Sequence, residues 1–168
     1  MPSGGEVVRP FWAVMAATVL LDRVTKVMAE RMLGAGSASV AGNVIQLRLV
    51  HNQGAAFGLE LGSWQRWIFL VIALVAIAWL FSASRQALPT DRLRQFAVAF
   101  VAGGAAGNAI DRLLSARGVV DYIDVGAGSL RWPTFNVADI AVTCGAVALA
   151  ISLWREDAHR APAPTTPV

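Results

Sequence analysis

The chain has 168 residues, of which 56% are hydrophobic and 15% are charged, and its formal net charge is +3. Soluble globular proteins carry about 25% charged residues, so this composition argues against a soluble enzyme and indicates a membrane protein. A spanning helix needs roughly 20 apolar residues, and the length therefore allows about four spans but no separate soluble domain. The basic residues are mostly single arginines rather than runs, which excludes nucleic acid as the expected partner.

The hydrophobic segments predict an α-helical integral membrane protein with one four-helix domain over residues 1–154. The predicted spans are residues 10–29, 64–81, 96–114 and 135–154. The first has the length of a signal-peptide core, but charged residues follow it where a small-residue cleavage site would stand, so we expect it to be retained. The polar, proline-rich residues 155–168 are predicted to form a disordered cytoplasmic tail.

Two further features of the spans suit helices packed in a bilayer. The second span carries tryptophans near both ends, as expected at membrane interfaces. In the third span, Gly103 and Gly107 have the spacing that lets a neighbouring helix approach closely. The single cysteine, Cys144, lies in the fourth span, where it excludes an intramolecular disulfide and is predicted to be a small buried residue.

The connections between spans carry strand signals. Apolar and polar residues alternate within residues 44–50, which predicts a short, half-buried strand. Residues 119–125 and 130–135 flank a turn-like Gly-Ala-Gly-Ser sequence and predict a hairpin. Because both connections leave the same membrane face, we expect them to form a small β platform there.

The distribution of arginines orients the chain. An even number of spans places both termini on one side, where short segments carry Arg9, Arg85, Arg92, Arg94, Arg155 and Arg160. The opposite side also carries basic residues, namely Arg31, Arg48, Arg117 and Arg131. The bias favours cytoplasmic termini and an extracytoplasmic platform.

Polar residues gather at one predicted membrane boundary. An ionised side chain costs about 2.5–3.5 kcal/mol at the centre of a spanning helix, so it requires a partner, a water-filled cavity or a function. Two span ends, one span start and two loops meet at this boundary. The polar residues that they carry are Asp22, Lys26, Asn52, Asn108, Asp111, Arg112, Asp121, Asp124, Asn136 and Asp139. Their common location predicts a functional site.

Residues on spans one and three also have a structural interpretation. Asp22 and Lys26 have the i,i+4 spacing of an ion pair on a helix. Asn108 and Arg112 have the same spacing, which suits a snorkelling arginine with a hydrogen-bonded partner. The spacing alone leaves the structural and functional interpretations of these four residues open.

The remaining acids have structural interpretations as well. Asn136 and Asp139 have the spacing of a helix N-cap and a first-turn acid that the helix dipole stabilises. Asp121 and Asp124 are compatible with ordinary, exposed acids of the hairpin.

The candidate chemistry is peptide hydrolysis by two carboxyl groups. In this chemistry an ionised carboxylate takes a proton from water, and a protonated carboxyl group polarises the substrate carbonyl. Two carboxyl groups that share one proton therefore provide both functions. The sequence has no HExxH zinc motif, and its only histidines are His51 and His159, the latter in the predicted tail. A Ser–Lys pair that uses Lys26 has no supporting sequence context.

Five short motifs occur in order from the first span to the fourth. They are residues 22–26 (DRVTK), 52–58 (NQGAAFG), 107–112 (GNAIDR), 119–124 (VVDYID) and 135–139 (FNVAD). Together they resemble the lipoprotein signal peptidase (signal peptidase II) family of aspartyl peptidases over most of the chain. Five ordered motifs are specific, whereas a lone Asn-x-x-Asp is not.

This resemblance implies four transmembrane helices, a small extracytoplasmic β cradle and a catalytic pair formed by Asp121 and Asp139. It implies that other polar positions bind substrate or support the pair, namely Asp22, Lys26, Asn52, Gly54, Asn108, Arg112 and Asn136. Asp111 is expected to be a structural partner. The helix-start position favours charge on Asp139 and the proton on Asp121, although coupled carboxylates titrate as a pair.

The resemblance also implies an activity. The expected enzyme is an intramembrane aspartic endopeptidase of the bacterial inner membrane, with its active site near the extracytoplasmic face. It removes the signal peptide from diacylglyceryl-modified prolipoproteins by cutting just before the lipidated cysteine. Its partners are these signal peptides and membrane lipids, it requires no metal or organic cofactor, and we expect a monomer that a cyclic peptide inhibitor of the family type binds at the dyad.

Two other classes of protein use intramembrane acids. A proton- or ion-coupled transporter places charges at mid-bilayer and shows inverted repeats, whereas here the acids lie at one boundary and no repeat is apparent. A non-enzymatic membrane scaffold would use the polar cluster as interfacial anchors. It would tolerate Asp121→Ala and Asp139→Ala with folding and partner binding intact.

Overall fold

Four helices and four short strands make up the fold in the computed structural model, which describes residues 4–34, 36–54, 64–86 and 91–160. The helices are α1 (Gly4–Leu33), α2 (Gln65–Gln86), α3 (Arg92–Leu114) and α4 (Val137–Arg160). The strands are β1 (Ser37–Ala41), β2 (Ile45–Asn52), β3 (Val119–Ala127) and β4 (Leu130–Arg131). Each predicted span corresponds to one of these helices.

Helix α4 is longer than predicted. It continues past Trp154 to Arg160, so the prediction of disorder is wrong for residues 155–160. The sequence offers no proline or glycine there to end the helix, and an ion pair holds the added turn because Arg94 Nη1 lies 3.1 Å from Glu156 Oε2. The rest of the predicted tail, and residues 55–58 of the second motif, lie outside the described residues.

Two of the described helices are long and apolar enough to cross a membrane. These segments are Gln65–Arg85 in α2 and Val137–Glu156 in α4. Helices α1 and α3 carry the ionisable residues of the first and third motifs, which make both segments more polar. Spans at α1 and α3 therefore stay a prediction.

Helix α3 is the centre of the bundle and packs against α1, α2 and α4. Its glycines allow this contact, because a Cβ at Gly103 would lie 2.7 Å from Thr18 Cβ on α1. A Cβ at Gly107 would lie 2.6 Å from Asp22 Oδ2, also on α1. The predicted close approach is confirmed, and it brings polar residues of α1 and α3 together.

The strands form one antiparallel sheet in the order β1-β2-β3-β4. Pairing of β2 with β3 places Val50 opposite Asp121 and confirms the predicted platform, and the β3–β4 hairpin turns at Gly128, whose φ is +58°. Strand β1 was not predicted, because its Ser/Ala-rich sequence lacks strand periodicity. Val120 and Tyr122 pack against Ala29 of α1, so the intervening Asp121 points to the opposite face of the strand.

Candidate active site

Asn136 and Asp139 form a reciprocal cap at the start of α4. The Asp139 backbone N donates to Asn136 Oδ1 at 2.9 Å, and the Asn136 backbone N donates to Asp139 Oδ2 at 3.1 Å. This arrangement has the geometry of a capping box and satisfies N–H groups that a helix start leaves unpaired. The predicted cap is confirmed, and it fixes the orientation of the Asp139 carboxylate.

Asp121 and Asp124 are both buried, with relative exposures of 2% and 1%, so the interpretation as exposed hairpin acids is wrong. Asp124 has a structural partner, because Arg131 Nε lies 2.7 Å from its Oδ1. Asp121 has no ion pair within the described ranges; instead Asn52 Nδ2 donates to its Oδ2 at 3.0 Å and Asn136 Nδ2 donates to its Oδ1 at 2.7 Å. Two acids three residues apart on one strand thus have different surroundings.

Asn136 connects the two predicted catalytic carboxyl groups. Its backbone N–H contacts Asp139, and its side-chain amide contacts Asp121. Asp139 receives a second N–H from Asn108 Nδ2 at 2.8 Å. Each of the two carboxyls therefore accepts two N–H donors, and the start of α4, strand β3 and helix α3 meet at this pair.

A buried polar cluster lies behind the pair, between α1 and α3. Lys26 Nζ lies 2.8 Å from Asp22 Oδ2, 2.7 Å from Asp111 Oδ2 and 3.0 Å from Asn108 Oδ1. Asp22 Oδ1 also accepts the backbone N–H of Ala138 at 3.0 Å, which joins α1 to the start of α4. The predicted Asp22–Lys26 ion pair is confirmed, and it lies inside the protein rather than on its surface.

Three other predicted residues surround the pair without a direct hydrogen bond to it. Arg112 Nη1 donates to the backbone oxygen of Asn108 at 3.1 Å, and its guanidinium lies 5.4 Å from the centre of the Phe69 ring. Gly54 donates its backbone N–H to Asn52 Oδ1 at 2.8 Å, which orients the Asn52 amide. Asp111 accepts the backbone N–H of Val120 at 3.2 Å and so links α3 to β3.

The electrostatic environment favours a proton on Asp121. Burial raises the pKa of its carboxyl to about 6, and the charge of Asp139 adds to the rise. The N–H donors of Asn52 and Asn136 and the charge of Lys26 oppose this shift without cancelling it. A carboxyl with such a pKa is able to act as a proton donor near neutral pH.

A mostly apolar cavity of about 330 Å³ adjoins Asp139. The residues that line it are Trp132, Phe135, Asp139, Ile140, Thr143 and Cys144. Cys144 is exposed rather than buried as predicted, because it lies on the outer face of α4. This cavity was not predicted, although the i,i+4 spacing of Asp139 and Thr143 places them on one helix face.

Residues 14–155 match the protein family described as signal peptidase (SPase) II. The chain belongs to the signal peptidase II family. It is 38% identical over 150 residues to a lipoprotein signal peptidase of Paraburkholderia phymatum, which covers 88% of this chain and 89% of the relative. It is 39% identical over 162 residues to that of Hydrogenovibrio crunogenus, which covers 92% of this chain and 91% of the relative.

The fold of this signal peptidase II family member also matches solved structures. One, described as a bacterial membrane enzyme determined by the in meso method at 2.3 Å resolution, superimposes with a TM-score of 0.79 and 26% identity over 95% of this chain and 96% of its own. A second, described in the same words at 1.9 Å resolution, gives a TM-score of 0.77 and 27% identity over 87% and 93% of the two chains. The protein is therefore a bacterial membrane protease, and the transporter and scaffold interpretations are set aside.

Proposed function

We propose that the protein is an aspartic endopeptidase that removes signal peptides from diacylglyceryl-modified prolipoproteins and cuts just before the lipidated cysteine. The observation that carries the proposal is the contact of Asn136 with both Asp121 and Asp139. Family membership supports the substrate class, because the curated relatives are named lipoprotein signal peptidases. The paired carboxyls are the group in the described part of the chain best suited to peptide hydrolysis.

In the proposed mechanism, Asp139 is ionised and takes a proton from a water molecule as the water oxygen bonds to the scissile carbonyl carbon. Asp121 gives its proton to the carbonyl oxygen, which forms a neutral tetrahedral intermediate. The intermediate collapses when the C–N bond breaks. The proton on Asp139 moves to the leaving amine, and Asp121 recovers its proton from the intermediate hydroxyl.

The supporting residues hold this geometry. Asn52 and Asn136 orient Asp121, and Asn108 and Asn136 orient Asp139 through the hydrogen bonds given above. Preorganised donors of this kind avoid reorganisation during the reaction. Arg112 Nε is buried and has no hydrogen-bond partner among the described residues, and we expect this guanidinium to receive a substrate carbonyl oxygen when substrate binds.

The proposed topology has four spans, cytoplasmic termini and an active site near the extracytoplasmic face. The two apolar helices support a membrane location, and α1 and α3 complete the bundle with their polar residues turned toward each other. The signal helix then approaches from the lipid beside α4, where the apolar cavity adjoins Asp139. A monomer suffices for this scheme, and a cyclic peptide inhibitor of the family type is expected to compete at the same carboxyls.

The test is cleavage of a purified, diacylglyceryl-modified precursor in detergent, compared with the unmodified precursor. Mass spectrometry of the product is expected to place the cut immediately before the modified cysteine. Asp139→Asn is the negative control for a contaminating protease. Equal cleavage of the modified and unmodified precursors, or a cut elsewhere, would contradict the proposed substrate.

A further inference from the structure

The buried ammonium of Lys26 has its full set of hydrogen-bond partners. Lys26 is 0% exposed, and three oxygens lie within 3.0 Å of its Nζ: Asp22 Oδ2, Asp111 Oδ2 and Asn108 Oδ1. An ammonium group has three N–H donors and no acceptor. Each donor is therefore assigned, and the third is directed at a neutral amide.

The two carboxylates already balance the charge of the cluster. Asp111 has a second cation, because Arg23 Nη1 lies 3.3 Å from its Oδ1. Asp22 and Asp111 thus face Lys26 and Arg23, two anions against two cations. Charge neutrality therefore does not require the contact of Lys26 with Asn108. The effect of this contact is on the orientation of the Asn108 side-chain amide.

That contact fixes which way the Asn108 amide points. Only the oxygen can face an ammonium, so Nδ2 must face the other side, where it donates to Asp139 Oδ1 at 2.8 Å. Asn136 Nδ2 supports the same orientation weakly, because it lies 3.1 Å from Asn108 Oδ1 but has two further acceptors within reach, Val120 O and Asp121 Oδ1. A flipped amide would set an oxygen against the Asp139 carboxylate.

We propose that Lys26 is a positioning residue that fixes the orientation of the Asn108 amide and thereby directs its Nδ2 donor at the carboxylate of Asp139, the proton-accepting member of the pair. This inference rests on the proposed function. Within the described parts of the chain, the other ionisable groups seen to interact with Asp139 are Arg112 on α3 and Asp121 and Tyr122 on β3. None of them touches the Asn108 side chain through a contact seen in the described residues.

The test is the pH profile of kcat/KM for two variants. Lys26→Met removes all three donors at similar length, and Asn108→Asp keeps the side-chain volume but replaces the donor that faces Asp139 with an oxygen. In both, Asp139 loses a donor that favours its charged form, so the acid limb of the profile is expected to move to higher pH, with about a tenfold loss of kcat/KM at a fixed pH on that limb. KM is expected to stay unchanged, because substrate contacts are retained.

Arg23→Met is the matched control. It removes a cation from the same cluster but no contact with Asn108, so it is expected to lower stability without moving the acid limb. If Lys26→Met does not fold because it leaves the buried Asp22 carboxylate without a counter-ion, the double variant Lys26→Met/Asp22→Asn, which keeps the cluster neutral, takes its place. The inference would be overturned if the acid limb of the test variants coincided with that of the parent, or if these variants lost activity at every pH. An equal displacement of the acid limb in Arg23→Met would also overturn it.

The two proposals fail in different ways. If the parent protein does not cleave the modified precursor, the proposed function is wrong. If the parent cleaves it and the acid limb of Asn108→Asp does not move, only the role of Lys26 is wrong.

Discussion

Replacement of Asp121 by asparagine is expected to stabilise the protein at pH 8 and to change its stability little at pH 4. Burial raises the pKa of this carboxyl from its ordinary 3.8 to about 6. Between these values the folded protein binds a proton that the unfolded chain releases. Stability therefore falls as the pH rises through this window and stays lower above it, whereas asparagine carries no such penalty.

The size of the effect follows from the two pKa values. A difference of about two pH units corresponds to about 3 kcal/mol at roughly 1.4 kcal/mol per unit. Asparagine also replaces one of the two acceptor oxygens with an NH₂ group, which loses a hydrogen bond worth about 1 kcal/mol. The net gain at pH 8 is then about 2 kcal/mol, or about 4–8 °C in Tm for a domain of this size.

Thermal unfolding in detergent, followed by the fluorescence of the six tryptophans, measures this effect at both pH values. Asp124→Asn is the matched control, because this equally buried acid on the same strand is held by Arg131 at 2.7 Å and its replacement is expected to lower Tm at pH 8. An Asp121→Asn variant that is less stable than the parent at pH 8, or more stable by the same amount at pH 4, would contradict this effect of burial.

Three further results are expected. Gly107→Ala brings a methyl group to 2.6 Å from Asp22 Oδ2, so it is expected to destabilise the protein by about 1–3 kcal/mol and to reduce cleavage, as measured by thermal unfolding and activity. Asn52→Ala removes a donor that lowers the pKa of Asp121, and the basic limb of the pH profile is expected to move to higher pH. Alkylation of Cys144 by a maleimide is expected to fill the cavity beside the dyad and to slow cleavage in a timed assay.

Two of these results have a matched control variant. Gly103→Ala also overpacks α3 against α1, at Thr18, but lies away from the polar cluster, so it is expected to lower stability more than activity. Cys144→Ala is expected to make cleavage insensitive to the maleimide. The first prediction is contradicted if Gly107→Ala is as active and stable as the parent. The second is contradicted if the basic limb of Asn52→Ala does not move, and the third if the maleimide still inhibits Cys144→Ala.

Much of the fold was predictable because hydrophobic length and strand alternation are local signals. The four helices and the β3–β4 hairpin follow from such patterns. Strand β1 was missed because Ser37–Ala41 forms through its pairing with β2, for which the Ser/Ala-rich sequence gives no local signal. The extension of α4 to Arg160 was missed because polar composition was taken as disorder, whereas the Arg94–Glu156 ion pair supports a helix there.

The sequence predicted that the residues of the candidate site lie together, but it did not predict their geometry. The positions of the motifs at the ends of the predicted spans placed the acids and amides at one membrane boundary. The three-residue spacing between Asn136 and Asp139 in the sequence predicted that Asn136 is a helix N-cap. Local patterns did not predict that Asp121 and Asp124 are both buried in different surroundings, since that difference depends on Arg131, Asn52 and the register of two strands. The apolar cavity beside α4 also depends on packing between segments distant in sequence.

The most direct test of the catalytic pair compares cleavage of a diacylglyceryl-modified precursor by the parent, Asp121→Asn, Asp139→Asn and Asp124→Asn, all purified and shown to be folded. Asp121→Asn and Asp139→Asn are expected to lose about 10²–10⁴-fold in kcat, whereas Asp124→Asn is expected to cleave at a rate close to that of the parent. If folded Asp121→Asn or Asp139→Asn cleaved within about tenfold of the parent rate, the catalytic role of the pair would be contradicted. A tenfold difference corresponds to only about 1.4 kcal/mol in activation free energy.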